Sequence, residues 1–178
     1  MALVVNDLAS VMMIATENQT DAHNALLDLG NAIESYLNAN ILVTFSWLAF
    51  DTYLNPDPVT TCTGKVSGIN ITLTPSNSSN RNTTFTHLSA QIKSGCSTGT
   101  YNVTTSGFST SPNNLTTAPS FTSLSIFLNY NSGNDTRLDY FKDLASQIIA
   151  WVKGMIPTGK CAGTHGAYIG NATPVSLT

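Results

Sequence analysis

Charge is scarce in this sequence. Asp, Glu, Lys and Arg make up 10% of the 178 residues, against roughly 25% in ordinary soluble domains. No Lys or Arg precedes Lys65, and no Asp or Glu occurs in residues 58–134. With a total of 7 Lys and Arg, the chain lacks the cationic surface that phosphate backbones require. We therefore expect no nucleic-acid partner.

Long apolar runs are also missing. The most apolar stretch, residues 41–50, is about half as long as the roughly 20 residues that a membrane-spanning helix needs, so we expect no membrane span. The first 14 residues contain no basic residue, and Asn6 and Asp7 interrupt their apolar pattern. This start predicts no signal peptide.

Apolar residues nevertheless make up 42% of the chain and recur with regular spacing, which indicates a folded protein rather than a disordered one. The length fits one domain. The composition predicts that residues 1–178 form this domain from four parts: a helical arm with an apolar segment (1–57), a β-rich block with many Ser, Thr and Asn (58–134), a helix (135–157) and a loop-rich tail (158–178).

Within the β-rich block, short apolar segments alternate with hydroxyl and amide residues. A period of two predicts strands that turn one face to a core and the other to water. The alternation is clearest in residues 66–74. The predicted strands cover residues 66–74, 83–93, 100–105 and 121–130.

Helical spacing flanks the block on both sides. Residues 7–38 predict one helix or, because polar residues 17–21 interrupt the stripe, two helices with Thr20 or Asp21 as the second N-cap. Residues 135–157 predict another helix, with Asp135 as N-cap.

The remaining segments are shorter. Residues 41–50 favour a buried strand over a buried helix because they are rich in β-branched and aromatic residues. Residues 55–58 (Asn-Pro-Asp-Pro) predict a turn, and the tail predicts loop with an edge strand near residues 167–169. The predicted fold is α+β, with an antiparallel sheet covered by the N-terminal helix or helix pair and one C-terminal helix.

One motif resembles a catalytic signature. Residues 95–99 (Gly-Cys-Ser-Thr-Gly) match the G-x-S-x-G elbow of α/β-hydrolases, in which a His takes the Ser proton and an Asp orients the His. That elbow needs a strand before it and a helix after it, whereas a strand is predicted after this one. We therefore expect a turn and no enzyme. The serine-esterase alternative would use Ser97 and His165 with Asp135, Asp139 or Asp143.

Metal and cofactor signatures are missing. His23, His87 and His165 stand alone, without the spacing that a metal site needs, so we predict neither a metal nor a cofactor. Trp47 and Trp151 fall in apolar runs and are expected in the core rather than on a sugar-binding surface.

The three cysteines allow two interpretations. Cys62 and Cys96 bracket the first two predicted strands and could form a disulfide, leaving Cys161 over. Alternatively, all three are free thiols buried as small apolar groups. A disulfide would indicate an oxidising compartment or a hyperthermophilic source, in which intracellular disulfides also occur.

Glycosylation sequons (Asn-x-Ser/Thr) are more frequent than the composition alone produces, by a modest margin. They mark N-glycosylation sites only if the chain meets the transferase. The candidate sites are Asn18, Asn70, Asn77, Asn82, Asn102, Asn114, Asn134 and Asn171.

The best functional prediction is a structural subunit of an extracellular assembly, a virion coat protein before a surface filament. The composition resembles that of surface proteins from heat-loving archaea and their viruses. The expected partners are copies of the chain and other coat or filament proteins. They would cover either the long apolar helix, part of which a small sheet leaves uncovered, or an open strand edge. The alternative is an adhesin or a receptor- or glycan-binding module with polar loops such as residues 105–120. Residues predicted to self-associate are Leu8, Val11, Met12, Leu26, Leu29, Ile33 and Leu37.

Overall fold

The computed structural model describes residues 3–115, 136–155 and 157–178. Their helices and strands follow one another without an internal repeat. In chain order they are α1 (Val5–Ala15), α2 (Ala22–Asn40), β1 (Leu42–Phe50), β2 (Thr61–Ser67), α3 (Arg81–Cys96), β3 (Thr100–Val103), β4 (Phe108–Thr110), β5 (Asn113–Asn114), α4 (Arg137–Gly154), β6 (Cys161–His165) and β7 (Tyr168–Leu177).

The described strands form one antiparallel sheet in the order β4-β6-β7-β1-β2-β3-β5. The predicted α+β class, with helices covering an antiparallel sheet, is confirmed. Residues 108–114 pair with β6 through β4 and with β3 through β5. Because this short segment joins both ends of the strand order, the sheet curls.

The N-terminal region forms two helices, the second of the two alternatives. The Asp21 carboxylate accepts from the backbone N–H of His23 and Asn24 at the start of α2, as an N-cap does. The C-terminal helix is also confirmed, but Thr136 caps α4 by accepting from the Asp139 N–H. Asp135 lies outside the described residues.

β1 confirms the strand interpretation of residues 41–50. It lies between β7 and β2, and its side chains alternate although nearly all are apolar. Val43, Phe45, Trp47 and Ala49 are buried, while Leu48 and Phe50 are exposed. Trp151 on α4 is buried as well, so both tryptophans lie in the core, as predicted.

The predicted strand 83–93 is wrong, because this segment belongs to α3. Asn80 caps the helix by accepting from the N–H groups of Asn82 and Thr83. Phe85, Leu88 and Ile92 are buried, and their spacing of three and four residues is that of a helix face. The segment resembles a strand in sequence because Thr and Ser, which are frequent in strands and turns, occupy much of the polar side of this helix.

The predicted strand 66–74 is only partly right. β2 ends at Ser67, and the next residues run extended beside two helices instead of pairing with a strand. The Asn38 side chain donates to the Ile69 carbonyl (2.9 Å) and accepts from its N–H (3.0 Å). Glu34 accepts from the Ile71 N–H (2.8 Å). Ile69, Ile71 and Leu73 are buried at every second position, as the alternation predicts. Helix side chains, and not a neighbouring strand, satisfy the backbone here.

The tail prediction is also wrong, since residues 158–178 contain two strands. β6 and β7 form a hairpin in which His165 pairs with Tyr168. Gly166 starts the two-residue turn at φ 58°, a conformation that glycine adopts readily. β7 pairs with β1 along its length, with a register irregularity beside Pro174, where a missing N–H is tolerated.

Two other strand predictions remain. Residues 100–105 contain β3, as predicted, whereas residues 121–130 lie outside the described residues. Buried apolar side chains from the helices and from one face of the sheet form a single cluster. Within the described ranges, no helix has the length and apolar character to cross a membrane.

Candidate functional site

The helical face predicted to self-associate lies mostly inside the chain's own core. Burial leaves little of it for a partner: Val11 is exposed and Leu26 is partly buried. The expectation that a small sheet leaves this face uncovered is therefore wrong. The buried members are Leu8, Met12, Leu29, Ile33 and Leu37.

Helix-to-helix contacts explain this burial. α1 packs against both α2 and α4. The Tyr36 hydroxyl of α2 donates to the Val4 carbonyl (3.0 Å) and accepts from its N–H (2.6 Å). Arg137 of α4 donates to Thr16 (2.7 Å) just beyond α1. These bonds fix both ends of α1, so its apolar side faces the neighbouring helices.

The outward face of the sheet is open and almost uncharged. On β1, β2, β6 and β7, the outward positions carry hydroxyl, amide and apolar side chains, with Lys65 as the one charged residue. Such a face loses little charge hydration when another surface covers it.

At one end of this face, large apolar side chains cluster. Phe50 of β1 lies directly opposite Ile169 of β7, and Leu48 points to the same side two positions earlier. Their exposures are 42%, 70% and 64%, and the loop after β1 adds Tyr53 at 85% and Leu54 at 80%. We call these five residues the sheet-end surface.

The loop that carries Tyr53 and Leu54 is ordered by its own hydrogen bonds. Asp51 accepts from the N–H groups of Tyr53 and Asn55, both at 2.8 Å, and from the Asn55 side chain at 3.0 Å. The bonds from Asn55 are the main reason that the pKa of Asp51 lies below its ordinary value. The ends of the loop also meet, because Phe50 bridges to Pro56.

Leu54 has an unusual backbone conformation. Its φ is 64°, and it is the one residue other than glycine with positive φ in the described ranges. A bulky L residue is disfavoured there because its Cβ crowds the backbone. Strained residues of this kind cluster at functional sites. The backbone conformation of Leu54 is therefore a second reason, besides its exposure, to place a functional surface at this loop.

Asp57 anchors the other side of the loop. Its carboxylate accepts from the Trp47 indole (2.8 Å), from His165 Nδ1 (2.7 Å) and from the Val59 N–H (2.9 Å). The Asp57 side chain is 1% exposed and that of His165 is 26% exposed. The His165 ring stacks on Phe108 with 4.3 Å between centroids. Strands β1 and β6 and the loop itself therefore meet at one carboxylate.

The electrostatics of this cluster favour the ionised carboxylate. Burial by itself raises the pKa of Asp57, but the hydrogen bonds from Val59, His165 and Trp47 outweigh it. The pKa of Asp57 consequently lies below its ordinary value. The anchor keeps its charge at neutral pH.

Among the described residues, Ser97 does not have the surroundings of a catalytic serine. Ser97 follows helix α3 and precedes β3, the reverse of a nucleophile elbow. Its hydroxyl donates to the Ser94 carbonyl (2.6 Å), while His165 pairs with Asp57. Asp139 and Asp143 lie on α4.

Of the two cysteine interpretations, the structure has the free thiols and not the Cys62–Cys96 disulfide: Cys62, Cys96 and Cys161 are all free and buried. Burial raises the pKa of Cys62 to about 11, with a further contribution from Cys161. Burial also raises the pKa of Cys96 to about 12 and that of Cys161 in the same direction. All three thiols therefore stay protonated near neutral pH.

The sequons lie mainly at the surface. Asn102 is half-buried and Asn134 lies outside the described residues. Exposure permits modification without testing it, so N-glycosylation remains a prediction. The exposed sites are Asn18, Asn70, Asn77, Asn82, Asn114 and Asn171.

A shallow groove of about 270 Å³ lies between α3 and residues 70–72. Hydroxyl and amide side chains line it, without a charged one. Two of them are already engaged within the chain: Gln91 bonds Thr74 (2.5 Å), and Thr98 donates to the Gly95 carbonyl (2.7 Å). Asn70, Thr72 and Ser94 supply its other polar side chains.

No protein-family model, no curated protein and no solved structure matches this chain. Within the described ranges, no three His, Cys, Asp or Glu side chains are grouped to hold a metal ion. The sheet-end surface is thus the most distinctive feature, and it was missed because Tyr53 and Leu54 look like ordinary turn neighbours. The available signal was two large apolar residues directly before Asn55-Pro-Asp-Pro58.

Proposed function

We propose that this protein is a structural subunit of an extracellular assembly, a virion coat protein before a surface filament, and that its copies associate through the sheet-end surface. The observation that carries this proposal is the exposure of five large apolar side chains at one end of a face that is otherwise mainly polar and nearly uncharged. Contiguous exposed apolar surface in a folded domain marks interaction sites. The proposed contact surface therefore lies at the end of the sheet, and not on the helical face that the apolar spacing predicts.

Hydrophobic burial supplies the driving force. Each Å² of apolar surface removed from water contributes about 25 cal/mol. Because Asp51 already orders the loop, little conformational entropy is lost when Tyr53 and Leu54 are covered. Association through this surface needs no rearrangement of the fold.

Apart from Asp51, whose carboxylate already accepts hydrogen bonds within its own loop, the outward strand positions beside the surface are uncharged, and this supports a second copy as the partner. The outward neighbours of Leu48 are Ser46 on β1 and, on the paired strand β7, Asn171 and Thr173. A charged partner would lose hydration here without gaining a counter-charge. The same face of another copy is equally poor in charge and matches it chemically.

Sedimentation velocity over a concentration series tests the proposal. We expect the native chain to associate as concentration rises and the Tyr53→Ser, Leu54→Ser double variant to stay monomeric. Val175→Ser is the matched control, because Val175 is also an exposed apolar residue of the outward face (55%) but lies at the other end of β7. A native chain that remains monomeric while retaining a glycan or receptor would favour the adhesin alternative.

A further inference from the structure

We propose that Asp57, His165 and Trp47 act as a clamp that holds the 51–59 loop in its binding conformation. These residues would control association without belonging to the contact surface, an inference that rests on the proposed function. They are positioning residues, since their side chains act through the loop that carries Tyr53 and Leu54.

The clamp joins the loop to two strands of the sheet. Trp47 extends from β1 and His165 from the end of β6, so both donors have fixed backbones. The Asp57 N–H donates to the Ala49 carbonyl (2.9 Å), which fixes the loop next to β1. Asp57 can therefore accept both side-chain bonds in only one position of the loop.

His165 is held in place from its other sides. Phe108 lies under the ring, with 11° between the two planes, and packs edge-on against Trp47 with 5.0 Å between centroids. Gly107 lies beside the Cδ2–Nε2 edge, where an added Cβ would be 3.3 Å from Cδ2. With the ring fixed, Nδ1 points to Asp57.

The strained backbone at Leu54 explains why the loop has to be held in place. A residue at φ 64° keeps that conformation only where the surroundings over-determine it. Asp51 holds the near side of the loop and Asp57 the far side. A loop released from Asp57 would sample conformations that cannot dock, and the competent fraction sets the apparent affinity.

Two substitutions at His165 separate the hydrogen bond from packing. His165→Phe keeps a ring to stack on Phe108 but removes the donor to Asp57. His165→Asn keeps an N–H donor near the Nδ1 position but removes the stacked ring. His87→Ala is the matched control, because His87 is also partly buried and bonds Thr74 at 3.5 Å, away from the loop.

Two measurements are needed on each full-length variant: amide hydrogen exchange of Leu54 and Asn55 in dilute solution, and the dissociation constant by sedimentation. We expect His165→Phe to speed exchange and weaken association on the order of tenfold each, and His165→Asn to restore most of both. His87→Ala should change neither.

The outcomes separate the two proposals. Unchanged association in His165→Phe, together with weakened association in the Tyr53→Ser, Leu54→Ser variant, overturns the clamp alone. If that double variant also associates normally, the sheet-end surface fails as the contact. Loop exchange then still tests the clamp, and native exchange rates at Leu54 in His165→Phe would overturn it.

Discussion

Similar apolar side chains are buried in the helical layer and exposed at the sheet end. α1, α2 and α4 cover one another and the sheet, so Leu8, Met12 and Ile33 are fully buried. At the sheet end, Leu48, Tyr53 and Leu54 remain exposed on an ordered backbone. The comparison teaches that apolar periodicity identifies a face that needs covering but does not say what covers it.

Truncation of a helical residue should give the largest effect on stability. Leu37 is fully buried in α2, so Leu37→Ala should lower the free energy of unfolding by about 2–5 kcal/mol. Urea denaturation measures the change. Leu48→Ala, at an exposed position, should change it by less than about 0.5 kcal/mol. Equal losses at the two positions would remove the contrast between the regions.

The next largest effect on stability should come from Asp57, which anchors the loop of the sheet-end surface. Because the pKa of Asp57 is lowered in the folded protein, its contribution to stability is present above the ordinary Asp value of 3.8. That contribution is lost as pH falls through the folded pKa. The stability difference between native protein and Asp57→Asn should therefore shrink below pH 3.8, as measured by urea denaturation at several pH values. A difference independent of pH would contradict this assignment, since Asp51 is present in both proteins.

Leu54→Gly should stabilise the monomer while weakening association. Release of the left-handed strain favours folding by roughly 1–2 kcal/mol, and the greater freedom of unfolded glycine opposes it by roughly 0.5–1 kcal/mol. The net gain should lie between about 0 and 1.5 kcal/mol in thermal or urea unfolding. Tyr53→Gly is the control, because Tyr53 lacks positive φ and should show no gain. Destabilisation by Leu54→Gly would show that Leu54 packs within its own chain.

The smallest effect concerns the cysteines of the core. Cys62, Cys96 and Cys161 should react with a thiol reagent at pH 8 only after denaturation, because all three are buried and protonated. Thiol counting in native and denatured protein measures this. Fewer than three thiols after denaturation without reductant would restore the disulfide interpretation.

Several elements could be predicted because their signals are local. Asp21 marks the start of α2, and the apolar stripe of α4 identifies that helix without its neighbours. β1 was recognisable from its β-branched and aromatic residues. α3 was missed because Thr and Ser, which suit strands and turns, fill the polar side of a helix that Asn80 caps.

The rest depended on contacts between distant residues. β7 contains Gly170 and Pro174, which read as loop, yet it pairs with β1 in the middle of the sheet. Asp57 and His165 are separated by 108 positions, so no spacing in the sequence could have joined them. The sheet-end surface depends on the same pairing, since β7 brings Ile169 beside Phe50.

A matched pair of isoleucines tests most directly whether the sheet end, and not the helical layer, mediates association. Ile169 is 70% exposed at the sheet end and Ile14 is 64% exposed on α1, so lysine at either position disturbs little within the chain. In sedimentation equilibrium over a concentration series, we predict that Ile169→Lys stays monomeric while Ile14→Lys associates like the native chain. The opposite pattern, or association unaffected by Ile169→Lys, would contradict the sheet-end contact.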